Sequence, residues 1–563
     1  MESKAGERSQ SRTHRGLLFA AAIGLVLVLL LFWRAPSDWL QSLTPDGRLD
    51  AGTTGFLNGL RPLLLLFVAV GFVVALSPAS RVATAAAWRA GLPAAATPTR
   101  LAWGMGAFAA VLRLVIARFA DIGLGDDGAR VAWLEQWLQQ PAWVWSGLWT
   151  PGHLYLHAAM NVMIRNAVWS GVALSALASG ITVGLLTRSF ERDWGAVAAF
   201  CGGITMSLLP VSLAHGSTPD VNPVFAVFPV AAMVFARQYA RDRSAVRFLL
   251  ACLFAGWATW CRYEAVVLVP AIALVLWPRW KAMFLFVTGG FLPIVAWGWM
   301  ESRTSGQVGH VAHVMQADPG LRGSMVSHLF SLTGSVWQAV PLPVMLLGAA
   351  GVVRSLRARR GREWMLLGSV HLAALTGAAL LLGAGTQPRY YILVGTLAAG
   401  YAGIALAGVW RENFRVAAWV TVLATLLFVI APGLYPNDND LWIRRSARLR
   451  TVVDDVRARA SGGDVIWVSD EAGYFYACRV RPPLARYHSM PRADSDPAAV
   501  MAELEAAPAA VVAVEPQDRV RERWARFAAL AAATYDVQPA GSVQGYQIYH
   551  LVRRGTGRTQ EVR

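Results

Sequence analysis

The chain has 563 residues, of which 55% are hydrophobic and 15% charged, with a formal net charge of +17 and a mean hydropathy of +0.43. So little charge over that length excludes an ordinary water-soluble globule. The four cysteines (Cys201, Cys252, Cys261 and Cys478) form no C-x-x-C and have no ligand spacing with histidine, so neither a disulfide framework nor a zinc site is indicated.

Apolar windows predict about thirteen membrane spans. They lie near 16–34, 61–78, 101–118, 168–187, 194–212, 222–239, 246–260, 263–277, 281–299, 336–354, 363–383, 388–408 and 414–433. Most are long enough to cross ~30 Å of hydrocarbon. The basic, then apolar N-terminus resembles a signal peptide, but its apolar part is too long and no A-x-A-like site follows, so it reads as a retained first span. With the N-terminus inside, the arginines fall in the inner loops: Arg81, Arg89 and Arg100; Arg188 and Arg192; Arg237, Arg241, Arg243 and Arg247; Arg279 with Lys281; "RSLRARRGR"; Arg411 and Arg415. This is the positive-inside pattern. The basic balance therefore reflects topology, and no nucleic-acid partner is expected.

On the outer side the third span runs into "RFADIGLGDDGARVAWLEQWLQQ", with the adjacent carboxylates Asp126 and Asp127. Val131, Leu134 and Leu138 then make a helical apolar stripe. Trp133, Trp137, Trp143, Trp145 and Trp149 crowd the same loop, as expected for a helix lying in the headgroup layer. One aspartate is enough to cap that helix; the second calls for another explanation. The loop continues "SGLWTPGHLYLHAAMNVMIRN", where His153 and His157 are four apart on one helix face. With an acidic residue they could hold zinc, or simply bond to loop backbone; no H-E-x-x-H is present. Arg113 lies within a span, where an unpaired charge is costly, so it pairs with Asp121 or Asp126 or reaches a ligand. Arg262 occupies the short outer turn "WCRYEA"; pairing with Glu264 is conceivable there, although i,i+2 residues on a helix face apart. Arg389 opens a span after Pro388 and before Tyr390 and Tyr391.

An arginine-bearing span, a paired acidic motif, an amphipathic helix and "W-x-P-x-H/L-x-Y-L" together resemble the first extracytoplasmic loop of the GT-C glycosyltransferases. That superfamily includes protein O-mannosyltransferases and the lipid A aminoarabinose transferase. The segments "HGSTPDVNPVFAVFPVAAMVF", "GWATWCRYEAVVLVP" and "QPRYYILVGTLAAG" are similar to later family segments, so the likeness runs from about 101 to 433. The family usually has Asp-Glu where this chain has Asp126-Asp127, and often Pro-Pro-Leu where it has Pro151-Gly152-His153. The apolar runs give an all-α polytopic fold, the bias to Ala, Arg and Trp with very few Lys points to a bacterial chain, and the resemblance is consistent with a place in its inner cell membrane. The donor would be a polyprenyl-phosphate sugar, and the acceptor a glycan, lipid or protein on the outer side. Asp126 would be the general base, with Asp127 orienting the acceptor or holding a cation if one is used; no other cofactor is implied. Arg389, Arg262 and Arg113 would bind donor phosphate, and His153, Tyr155 and His157 would line the acceptor side of the loop. The competing readings are a transporter or flippase, expected to show broken helices in two symmetric halves, and a non-catalytic envelope assembly protein. The loop "ESRTSGQVGHVAHVMQADPGLRGSMVSHLF", with His310, His313 and His328, receives no catalytic role.

The expected division is a two-span extension (1–100), a core (101–433) whose outer loop 119–166 carries the site, and a domain from 434 to 563. In the last part "LWIRRSARLRTVVDDVRARA" and "PQDRVRERWARFAALAAA" read as helices, and "DVIWVSD", "AVVAVEP" and "YQIYHLV" as strands, giving a small α/β domain with no G-x-G-x-x-G. It is expected to be an extracytoplasmic lid or docking module without chemistry of its own. A reporter fused after Arg563 should be active only in the extracytoplasmic compartment. A cytoplasmic signal would overturn the span count.

Overall fold

The computed structural model describes residues 98–119, 127–139, 149–305, 332–336, 339–382, 387–412, 451–460, 465–468, 487–489, 509–514 and 518–554, with isolated residues between them. The expected spans near 16–34, 61–78 and 414–433 lie outside these residues, as do Asp121, Asp126, Trp143, Trp145, Cys478 and the histidine-bearing loop 306–331. Nine of the other ten expected spans each overlap one α-helix, and the tenth, near 194–212, is broken at Leu209 into two. In chain order these and their connectors are α1 (Pro98–Phe119), α2 (Asp127–Gln139), α3 (Gly152–Ile164), α4 (Ala167–Trp194), α5 (Ala196–Leu208), α6 (Pro210–Gly216), α7 (Val221–Asp242), α8 (Ala245–Cys261), α9 (Ala265–Ala273), α10 (Trp280–Ser305), α11 (Leu342–Ala358), α12 (Arg362–Leu382) and α13 (Ile392–Glu412). By length and composition, six stretches of the described chain can each cross a membrane, seven if the bent pair α5–α6 counts as one; α8 and α9 are shorter apolar helices. α11 starts later than the hydropathy suggested because Pro341 and Pro343 set its first turn.

Small residues bring the helices together, as expected where lipid gives apolar side chains no incentive to cluster. Gly106 on α1 and Gly180 on α4 face each other so closely that a Cβ on either would sit 2.6–2.8 Å from the other's carbonyl oxygen. α4 is capped by Asn166, whose Oδ1 accepts from the amides of Val168 (3.1 Å) and Trp169 (2.9 Å). At one end of the bundle Arg237 pairs with Asp193 at 2.8 Å and stacks over Trp364, and Arg360 donates to the Asp193 carbonyl at 3.3 Å.

α5 and α6 meet at a 58° bend before Pro210. Proline lacks the amide that would continue the helix, leaving carbonyls there without intrahelical partners. Arg113, fully buried on α1, reaches both sides of this bend. Its Nε donates to the Ser212 carbonyl (3.1 Å), Nη1 to the carbonyls of Ala109 (2.8 Å) and Ser207 (3.4 Å), and Nη2 to the Ser212 hydroxyl (2.7 Å). The intramembrane charge is thus satisfied mainly by backbone oxygen.

The C-terminal part contains a five-stranded sheet in the order β2-β1-β3-β5-β4. The strands are β1 (Val465–Val468), β2 (Tyr487–Ser489), β3 (Ala509–Val514), β4 (Tyr535–Val543) and β5 (Tyr546–Arg553), with α14 (Asp518–Ala531) between β3 and β4. β1 runs parallel to β2 and β3, and β5 antiparallel to β3 and β4. In β5, Tyr546 and Ile548 are buried on one face of the sheet with Ile466 and Val511, and Leu551 on the other with Trp467 and Phe527. Val131 and Leu134 of α2 join Leu154, Ala158 and Val168 and, from the C-terminal part, Val452, Val456, Ile466, Val511, Tyr546 and Ile548 in one apolar cluster. The expected stripe on α2 therefore packs against protein, not the headgroup layer, and Leu138, 43% exposed, is outside it. Three apolar residues at helical spacing fit either surface, and only the position of the sheet decides between them.

The start of α3 sits directly on the end of α8. A Cβ at Gly152 would lie 2.7 Å from the Trp260 carbonyl oxygen. Gly152→Ala should lower stability by about 1–3 kcal/mol through forced backbone movement, read as a drop in the detergent unfolding midpoint. An unchanged midpoint would show this contact to be loose.

Candidate active site

Four polar elements converge at the end of the bundle where α3 meets α8. The first is the turn between α6 and α7. Asp220 caps α7, its Oδ1 accepting from the Asn222 amide at 2.6 Å and from Asn222 Nδ2 at 2.7 Å. Its Oδ2 accepts from His215 Nδ1 at 2.6 Å. The turn is fastened to α4, where the Ser175 hydroxyl donates to the Asp220 carbonyl at 2.9 Å. Burial alone would raise the Asp220 pKa. The adjacent His215, its hydrogen bond and the charge of Arg389 outweigh burial and hold the carboxyl well below the usual range.

The second element is the α8–α9 turn. Arg262 donates through Nη1 to Asn222 Oδ1 at 2.5 Å and through Nε and Nη2 to Glu264, with Nε at 3.0 and 3.1 Å. The residues two apart meet because Arg262 is extended (φ −156°, ψ 144°) at the end of α8; helical spacing does not govern a turn. The third element is the 3₁₀ segment Pro388–Tyr391, which leads into α13. It places the buried Arg389 and Tyr390 beside the turn, with Arg262 and Arg389 over the Tyr390 ring at 4.7 and 5.5 Å.

The fourth element is the loop helix pair. Asp127, 1% exposed, begins α2 one turn before the buried Arg130, which stacks over Trp149 at 4.6 Å. On α3, His153 and His157 are buried with rings 5.6 Å apart. His157 Nε2 donates to the Ala167 carbonyl at 2.7 Å. Burial, with Arg130 close by, takes the His157 pKa down to about 4 and that of His153 well below the usual imidazole range, so both rings are neutral at pH 7. Tyr155 packs edge-on against Trp137 (5.9 Å) and at a tilt against Trp260 (5.6 Å), tying α3 to α2 and α8. Among the described residues, no group of three His, Cys, Asp or Glu is placed to hold a metal ion.

Of the residues singled out from the sequence, Arg262 and Arg389 are brought together over one tyrosine. Asp127, His153, Tyr155 and His157 lie on the two helices packed beside them. Arg113 sits beneath α6 with its three nitrogens engaged in the bundle, and Asp126 lies outside the described residues. Sequence reasoning gave no role to His215, Asp220 and Asn222. A signal existed: "HGSTPDVN" places a histidine, a carboxylate and an amide within eight residues at the mouth of a span. His371 was also missed; it is buried on α12 against Phe225, with nothing around it in sequence to mark it.

Residues 149–299 match the sequence profile of the dolichyl-phosphate-mannose-protein mannosyltransferase family. No curated protein sequence matches the chain. Among solved structures, ArnT from Cupriavidus metallidurans bound to undecaprenyl phosphate is similar with a TM-score of 0.53 at 14% identity, covering 79% of this chain and 97% of that one. The apo form of that protein gives 0.51 at 15% identity with the same coverage. The archaeal oligosaccharyltransferase AglB from Archaeoglobus fulgidus, in complex with an inhibitory peptide and a dolichol-phosphate, gives 0.42 at 12% identity over 80% and 74% of the two chains, too slight an overlap to argue from. Over residues 149–299 the chain is thus similar to a family of membrane mannosyltransferases, and its fold is similar to that of ArnT.

Proposed function

We propose that the chain transfers a sugar from a polyprenyl-phosphate donor to a glycan, lipid or protein acceptor at the extracytoplasmic face of the membrane. The observation that carries this reading is the meeting of Arg262 and Arg389 over Tyr390, next to the helix that starts at Asp127. Two fixed guanidinium groups suit a phosphate, whose planar-fork recognition arginine provides better than lysine. The similarity to an undecaprenyl-phosphate-bound ArnT supports that class of donor.

The chemistry follows from charge. The acceptor oxygen or nitrogen attacks the anomeric carbon while the bond from that carbon to the phosphate oxygen breaks. The bonding pair leaves with the phosphate, whose growing charge the arginines stabilise. The acceptor's proton goes to Asp126, and a single displacement inverts the anomeric centre. Asp127, buried one turn from Arg130, orients the acceptor from the helix start. His153 and His157, neutral at working pH, line the same side with Tyr155. Arg113 belongs in this reading to the scaffold, fully buried with four bonds to protein oxygen, whereas the bonds of Arg262 to Asn222 and Glu264 use only one N–H on each of Nη1 and Nη2 and leave the second for a ligand.

Asp126→Asn keeps side-chain size and capping ability but cannot take the proton, so transfer should fall by ~10²–10⁴ at normal protein yield. The measurement is turnover of labelled polyprenyl-phosphate sugars by the purified protein. Parent-level transfer by this variant would remove Asp126 from the mechanism.

Arg389→Ala should weaken donor use by about 1.5–3 kcal/mol, the size of a hydrogen bond to a charged group. Arg389→Lys should recover only part of it. Normal turnover at low donor concentration would make Arg389 an interfacial anchor only.

A further inference from the structure

Asp220 does more than an N-cap requires. Capping needs one bond from a side-chain oxygen to an amide near the start of the helix, which serine or threonine also provides. Asp220 makes that bond and two others, to the Asn222 side chain and to His215. The bond to Asn222 has a geometric consequence. A carboxylate only accepts, so the Asn222 amide must turn Nδ2 toward Asp220, which leaves Oδ1 facing away. That oxygen receives Arg262 Nη1 at 2.5 Å. A chain of hydrogen bonds therefore runs from His215 on α6 through Asp220 and Asn222 to Arg262, and on to Glu264 at the head of α9. Asp220 is 2% exposed and Asn222 4%, so water is a poor substitute for any link.

We propose that Asp220 is a positioning residue for the phosphate site: through Asn222 it fixes the direction of the Arg262 guanidinium, and its charge offsets that of Arg389, without touching the substrate. Two arginines over one tyrosine repel each other and would splay apart unless countercharges flank them. Glu264 is bonded to Arg262, and Asp220 lies within the electrostatic reach of Arg389. Glu264 grips Arg262 directly, whereas Asp220 acts at one remove, through an amide that carries no charge to compete with an incoming phosphate. A phosphodiester donor has one negative charge, and the polyprenyl phosphate left after transfer approaches two. Arginines held in place beforehand meet that change without rearrangement.

This inference rests on the phosphate reading, and the test separates the two. Binding of sugar-free undecaprenyl phosphate is measured on the full-length chain in nanodiscs. Five variants are compared with the parent: Arg262→Ala, Arg389→Ala, Asp220→Asn, Asn222→Ala and the double Asp220→Asn/Asn222→Ala. Asp220→Asn and Asn222→Ala should each weaken binding about tenfold, and the double should be no weaker than the worse single, as for members of one network. In transfer assays the donor KM should rise by a similar factor while kcat at saturating donor stays within about twofold. Asparagine still caps α7; should Asp220→Asn nevertheless give poor yield, Asn222→Ala leaves the cap intact and decides the matter alone. If the arginine variants lose binding while Asp220→Asn and Asn222→Ala bind as the parent does, or if the two losses simply add, the positioning role is wrong and the phosphate reading survives. If neither arginine variant loses binding, both fall.

Discussion

The fork of hydrogen bonds from Arg262 is the constraint on which the site depends. One guanidinium joins the start of α7, the end of α8 and the start of α9, and stacks on the segment that opens α13. A half-buried cation of this kind is costly unless its donors are used. Here Nε, Nη1 and Nη2 all have oxygen partners. The side chain therefore adds a polar tie between helix ends that Val224, Cys261, Ala265 and Ile392 already join through the apolar core.

Beneath this layer a second arginine solves a different problem. The bend at Pro210 lets α6 turn back toward the site, carrying His215 to Asp220. A bend within hydrocarbon exposes carbonyl groups that lipid cannot satisfy. Arg113, on the neighbouring helix α1, donates to the Ser207 carbonyl on one side of the bend and to the Ser212 carbonyl and hydroxyl on the other. Two intramembrane features that look unfavourable in isolation, a broken helix and a buried charge, each supply what the other lacks.

The loop helix α2 is held from two sides. Val131 and Leu134 are fully buried in the cluster that includes the sheet residues Ile466, Val511 and Ile548. The C-terminal part is thus a wall for the helix that starts at Asp127, and not merely a cover. Tyr155, between Trp137 and Trp260, joins the same helix to the end of α8. The acidic loop and the arginine turn are accordingly linked by packing, not only by proximity.

Much of this was legible in the sequence, for identifiable reasons. Hydropathy alone located the helices, because a membrane span must be apolar along its whole length whatever it packs against. The strands Val465–Val468 and Ala509–Val514 were visible as short apolar runs between polar breaks, whereas Tyr487–Ser489 is too short and polar to announce itself. Arg262, Arg389, Asp127 and the two histidines drew notice because their segments resemble those of a known family, since charge by itself is ordinary at a membrane boundary. What the sequence could not decide was pairing. Arg262 and Glu264 face apart on a helix, and meet only because the turn makes Arg262 extended. Arg113 could have reached a phosphate or a carboxylate, and only the bend of α5 and α6, 94 to 99 residues on, gave it backbone oxygen instead. The stripe on α2 suited lipid until the sheet was seen against it. Composition and spacing determine which residues must be buried or paired; which partner each one finds depends on contacts between segments far apart in the chain, and these exist only once the helices have packed.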